Sequence, residues 1–145
     1  MEGVGARILD GDTRNQVPCG PMSGPIEVPS GSAWLVDAYG CDPERLRSTA
    51  GLEALFGGIV ADLGLHPIGP PRWHVFPSPG GVTGFLLLSE SHLSVHTFPE
   101  RGFAALDLYC CRPRPPWDFT KELEARLGAA RVTVQHVARG EGGAP

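Results

Sequence analysis

Ser91, His96 and Cys111 are the residues of this 145-residue chain whose types and spacing can do chemistry together. Two of them fall in "FLLLSESHLSVHTFPE", Phe85 to Glu100, where an apolar run stops at Ser89-Glu90-Ser91-His92 and then resumes with a second histidine. A period of two puts His92, Ser94, His96 and Phe98 on one face of "HLSVHTF", and Leu93, Val95 and Thr97 on the other. In "AALDLYCC" the same rule groups Ala105, Asp107, Tyr109 and Cys111 and sends Cys110 to the side of the leucines. If the two strands are neighbours, a face carrying His96, Cys111 and a terminal Ser91 can hold nucleophilic or acid/base chemistry. Taken singly, each residue has a plainer reading. A strand cysteine is most often a small buried hydrophobe, and a lone histidine is more often a hydrogen-bonded core or rim residue than a catalyst. No metal is expected, because His92 and His96, four residues apart in a strand, stand about 13 Å apart and cannot share an ion with Cys111.

The elements that must position these residues follow from the apolar spacing. "SAWLVDAYGCD" reads as a strand, and Asp42-Pro43 then supplies an N-cap and a first-turn proline for a helix. Leu46, Leu52, Leu55, Phe56, Ile59, Val60 and Leu63 form its apolar stripe, weakened at Gly57-Gly58. "RWHVF", "GVTGFLLL", "HLSVHTF" and "GFAALDLYCC" are four strands with short connections, which makes them antiparallel neighbours. "PRPPWDFTKELEARLGA" is a second helix and "RVTVQHVA" a last strand. The order predicts an α+β domain, an antiparallel sheet with two helices on one face. Residues 1–31 and 139–145 lack either period and are expected to be loose, leaving one domain over 32–138.

Composition narrows the function classes. A formal charge of −4 and a pI near 5.7 give no footprint for nucleic acid or an anionic membrane. The chain begins with neither a signal peptide nor any run long enough to span a bilayer, so a cytoplasmic protein is expected. Four cysteines without a CxxC pair read as reduced thiols. Phosphate-loop, dinucleotide, zinc-protease and serine-hydrolase motifs are absent, and the glycine-rich "SPGGVTG" leads into a strand, so it reads as a turn.

The segment "SESHLSVHTFPERGFAALDLYCC", Ser89 to Cys111, resembles the processing and active-site segment of the prokaryotic S-adenosylmethionine decarboxylase proenzymes. Weaker similarity runs back through "WLVDAYGCDPERL" and forward to "RVTVQHVARG". The resemblance implies self-cleavage between Glu90 and Ser91. The Ser91 hydroxyl attacks the Glu90 carbonyl, the resulting ester eliminates, and hydrolysis of dehydroalanine leaves a pyruvoyl group heading residues 91–145, the α chain, with residues 1–90 as the β chain. His96 matches the histidine that takes the serine α-proton, and Cys111 the cysteine that protonates substrate carbon after loss of CO₂. Glu100 matches the acid that holds the ribose hydroxyls, Phe76 an aromatic that stacks on adenine, and Thr83 a serine that supports processing.

A pyruvoyl group suits this composition. Amino-acid decarboxylation needs an electron sink, usually through a Schiff base to pyridoxal phosphate or to a carbonyl made from the chain. Pyridoxal phosphate needs a lysine, and the only one, Lys121, lies in a charged helix beside Glu122. The expected cofactor is therefore the pyruvoyl group from Ser91, with neither pyridoxal phosphate nor metal. The chain reads "HTFPE" where the family commonly has "HTWPE", and "CCRPRPP" replaces a cysteine-glycine continuation, so Phe98 and Arg112 are expected to reshape the substrate pocket. The resemblance also implies a homodimer of processed chains, its two sheets packed face to face as an αββα sandwich. The expected activity is decarboxylation of S-adenosylmethionine, a small-molecule substrate, for spermidine synthesis. The same chemistry on arginine or ornithine, or a non-catalytic binding homologue, stands as the alternative.

Overall fold

Alternating apolar residues in six segments build one antiparallel sheet. The computed structural model describes residues 30–140; residues 1–29 and 141–145, most of the two flanks expected to be loose, lie outside the described residues. The strands are β1 (Gly31–Tyr39), β2 (Arg72–Val75), β3 (Val82–Leu88), β4 (Ser91–Phe98), β5 (Phe103–Cys110) and β6 (Arg131–Arg139). Their order across the sheet is β2-β3-β4-β5-β1-β6. Gly31 and Arg139, assigned from sequence to the loose flanks, are instead paired with each other at the ends of β1 and β6.

Helices cover one face only. Trp34, Val36, Leu86, Leu93, Val95, Leu106 and Leu108 point into a core shared with Leu52, Phe56, Ile59, Phe119 and Leu123 of the helices. Each such side chain contributes about 1.5–3 kcal/mol when fully buried, so this layer carries the fold. The α+β class read from the sequence is the class observed.

The first helix is two helices, α1 (Pro43–Arg47) and α2 (Thr49–Leu63). Ser48 divides them: its backbone is extended at φ −80° and ψ 98°, and its hydroxyl accepts from the Gly51 amide at 3.0 Å, which makes it the N-cap of α2. Gly57 and Gly58 do not interrupt α2. The buried stripe of Leu52, Leu55, Phe56, Ile59 and Leu63 outweighs a propensity cost of about 1 kcal/mol per glycine. The last helix, α3 (Phe119–Leu127), is capped by Asp118 and packs beside β6.

Candidate active site at the β3–β4 hairpin and its cleft

Leu88 pairs with Ser91, so Ser89 and Glu90 alone connect β3 to β4. Three backbone hydrogen bonds tie this turn down. The Ser89 amide donates to the His66 carbonyl at 2.9 Å, the Ile68 amide to the Leu87 carbonyl at 2.9 Å, and the Cys111 amide to the Glu90 carbonyl at 3.0 Å. The last bond polarises the carbonyl that precedes Ser91. Glu90 also pairs with two guanidinium groups, Arg112 Nε at 3.2 Å and Arg114 Nη2 at 3.5 Å. Arg114 Nη1 donates in turn to the Leu63 carbonyl at 3.3 Å, at the C-terminal end of α2, where a helix favours a cation.

Ser91 stands opposite Cys110 in register, on the helix-covered side with Leu93, and not on the face of His96. This corrects the shared face expected from sequence. Ser91 and His96 are five residues apart, and an odd separation in a strand reverses the side. Cys110 is buried beside it. Burial pushes the Cys110 thiol above its ordinary value, while the Ser91 hydroxyl and the Arg114 guanidinium pull it part of the way back. Cys111 follows the end of β5 as a half-buried free thiol.

A second group of residues occupies the far end of β4. Thr83 and His96 are cross-strand partners, and Thr83 Oγ1 lies 3.0 Å from His96 Nδ1. Both line an open cleft of about 450 Å³ together with Phe76, Phe98 and Glu100. The wall between Phe76 and Gly81 is the "SPGG" turn, closed by the Phe76 amide on the Gly81 carbonyl at 2.9 Å. Gly81 is required there, because a Cβ would stand 2.6 Å from the Thr97 carbonyl oxygen. Phe76 is braced edge-on by His74, and Phe98 packs against Phe103. Below the cleft, buried Thr97 donates to the Leu46 carbonyl at 2.9 Å and accepts from the Val82 amide at 2.8 Å, which fixes β4 to both α1 and β3.

The sequence-derived residues therefore form two sets. Glu90, Ser91 and Cys111 meet at the hairpin; Phe76, Thr83, His96, Phe98 and Glu100 meet in the cleft. Five residue steps of β4 separate Ser91 from His96, roughly 17 Å at strand rise, and Glu100 lies beyond the end of the strand. Among the described residues no three His, Cys, Asp or Glu side chains gather as a metal site. Arg114 was not singled out from sequence; its signal was the paired arginines between prolines in "CCRPRPP". The turn at Ser78-Pro79 was read only as punctuation, yet it walls the cleft.

The arrangement is one antiparallel sheet with helices on one face and, at a tight hairpin, a serine that follows a hydrogen-bonded carbonyl. Residues 32–140 match the S-adenosylmethionine decarboxylase family. S-adenosylmethionine decarboxylase proenzymes of Clostridium kluyveri and Moorella thermoacetica are 35% and 37% identical over 107 residues, 73% of this chain and 83% and 84% of theirs. The crystal structure of the adenosylmethionine decarboxylase from Aquifex aeolicus superposes with a TM-score of 0.64 at 30% identity, over 79% of this chain and 97% of that one. The chain belongs to the S-adenosylmethionine decarboxylase family.

Proposed function

We propose that the chain cleaves itself between Glu90 and Ser91 and, with the pyruvoyl group so formed, decarboxylates S-adenosylmethionine. The family's reaction supplies the aminopropyl donor for spermidine synthesis. The observation that carries the self-cleavage is the Cys111 amide on the Glu90 carbonyl, 3.0 Å away. As the Ser91 hydroxyl adds to that carbonyl, charge develops on the oxygen already held by this donor, and such donors stabilise the transition state. His96 takes the Ser91 α-proton in the elimination that follows. The Thr83 hydroxyl holds the Nδ1 end of its ring, which leaves Nε2 for the transfer. Lys121, the chain's single lysine, is exposed on α3, so the residues present suit a carbonyl made from the chain itself.

The pyruvoyl carbonyl supplies the electron sink for the carbanion left by CO₂. Cys111 gives a proton to the substrate carbon. Glu100 accepts hydrogen bonds from both ribose hydroxyls, and Phe76 with Phe98 holds the base. These three line one cleft with His96, as a nucleoside site requires.

A homodimer makes the two sets into one site. The distance along β4 keeps the Ser91 of one chain out of reach of its own His96 and Glu100. The uncovered sheet face carries Leu35, Phe85, Leu87 and Phe98 exposed, and face-to-face packing about a two-fold axis buries them while bringing each hairpin toward the second copy's cleft. No helix among the described residues is long and apolar enough to cross a membrane, and the free thiols Cys41, Cys110 and Cys111 suit the cytoplasm. Release of CO₂ from carboxyl-labelled S-adenosylmethionine by the wild-type chain, and none by Ser91→Ala, tests the reading. Equal release by both sinks it.

A further inference from the structure

We propose that Arg114, backed by Arg112, is a positioning residue for self-cleavage: the pair holds Glu90 and stabilises the carboxylate that Glu90 becomes when it leaves Ser91. The inference rests on the self-cleavage reading above. In the first step the Ser91 Oγ–Glu90 C bond forms, the Glu90 C–Ser91 N bond breaks, and the nitrogen takes the proton. In the second, the Ser91 α-proton goes to the base, the Cβ–Oγ bond breaks with its electron pair staying on oxygen, and the Cα–Cβ double bond forms. The leaving group of that second step is the α-carboxylate of Glu90. One residue then bears two negative charges, where the precursor bore one.

Two cations already stand there. Arg112 Nε is 3.2 Å from Glu90 Oε1 and Arg114 Nη2 is 3.5 Å from Oε2. They are not equal. The Arg112 side chain is 70% exposed and its charge is screened, whereas that of Arg114 is 20% exposed and is anchored by the Leu63 carbonyl. Arg114 Nε, moreover, is buried without a hydrogen-bond partner among the described residues. A spare donor thus lies on the guanidinium that touches the residue about to gain a charge. Pro113 and Pro115 on either side restrict the backbone that presents it. Both arginines belong to the α chain and Glu90 ends the β chain, so the pair also bridges the cut.

The test follows processing of the full chain on denaturing gels with and without hydroxylamine, which cleaves esters and spares amides. Arg114→Gln is expected to slow cleavage about tenfold or more and to accumulate full-length chain that hydroxylamine cuts, because the ester forms but eliminates slowly. Arg114→Lys, which keeps the charge, recovers most of the rate. Arg112→Gln, on an exposed side chain, slows cleavage about two- to threefold with the same ester. It decides the matter if Arg114→Gln does not fold. A wild-type rate in Arg112→Gln and in any folded Arg114→Gln overturns the inference, and so does accumulated chain that resists hydroxylamine. A wild-type chain that is not cut after Glu90 overturns the self-cleavage reading and this one with it.

Discussion

The backbone amide of Cys111 donates to the Glu90 carbonyl at 3.0 Å, while the thiol of the same residue is free. In the proposed mechanism one residue thus offers an amide for making the active group and a thiol for using it. Substitution of the side chain leaves the amide in place. Cys111→Ala should therefore still cleave at no less than about a third of the wild-type rate, and should lose turnover by about 10²- to 10⁴-fold, the usual worth of a positioned general acid. Timed gels and CO₂ release on one preparation check this. Unchanged turnover would mean that the thiol only packs.

Thr83 and His96 form the second pair. Thr83→Ala removes one side-chain hydrogen bond worth about 0.5–1.5 kcal/mol, so cleavage should slow by up to about tenfold. Thr83→Ser should restore it, since the hydroxyl is what matters. His96→Ala should stall processing. A Thr83→Ala chain that cleaves as fast as wild type shows the hydroxyl to be incidental.

Much of this was legible in the sequence, and the limits have physical causes. Strand boundaries followed the two-residue alternation, because one face of the sheet meets the helices and the other does not. The break between α1 and α2 was missed because Ser48-Thr49 lies inside a continuous apolar stripe, and only the extended Ser48 backbone reveals the cap. The residues of the cleft and the hairpin are all candidates that the sequence offers, but their division between the start of β4 and its far part is not visible in it. A motif gives spacing along the chain, whereas the side on which Ser91 emerges depends on the parity of its separation from His96 and on pairing with Cys110.

That division leads to a complementation experiment. If one copy's cleft serves the other's hairpin, chains carrying Ser91→Ala and His96→Ala, each inactive alone, should pair when coexpressed and give one working site per mixed dimer. The His96→Ala copy supplies an intact Ser91 and the Ser91→Ala copy an intact His96. Activity should reach about a quarter of wild type, since random pairing makes half the dimers mixed and each has one of two sites. No cleaved chain in a mixture shown to contain mixed dimers would contradict the shared site.

In the proposed reading substrate preference rests on Glu100 and its aromatic neighbours in the cleft. Glu100 is exposed in the cleft, so a substrate without ribose hydroxyls forgoes hydrogen bonds to a charged group, worth roughly 1.5–3 kcal/mol. S-adenosylmethionine should thus exceed arginine and ornithine in kcat/KM by more than about tenfold, and Glu100→Gln should raise KM for it. A basic amino acid that wins by the same margin would mean that the pocket has changed its substrate while keeping the chemistry.

The sheet order makes the cleaved state easy to recognise. Cutting after Glu90 leaves β1, β2 and β3 in one fragment and β4, β5 and β6 in the other, yet β1 lies between β5 and β6, so the fragments stay interleaved and copurify. Intact-mass measurement of the purified wild-type chain under denaturing conditions is the most direct test of the account. The result it predicts is two species, one ending at Glu90 and one beginning with a pyruvoyl group in place of Ser91 and refractory to N-terminal sequencing, with Ser91→Ala remaining a single species. A single wild-type species with Ser91 intact that still releases CO₂ from S-adenosylmethionine would contradict it.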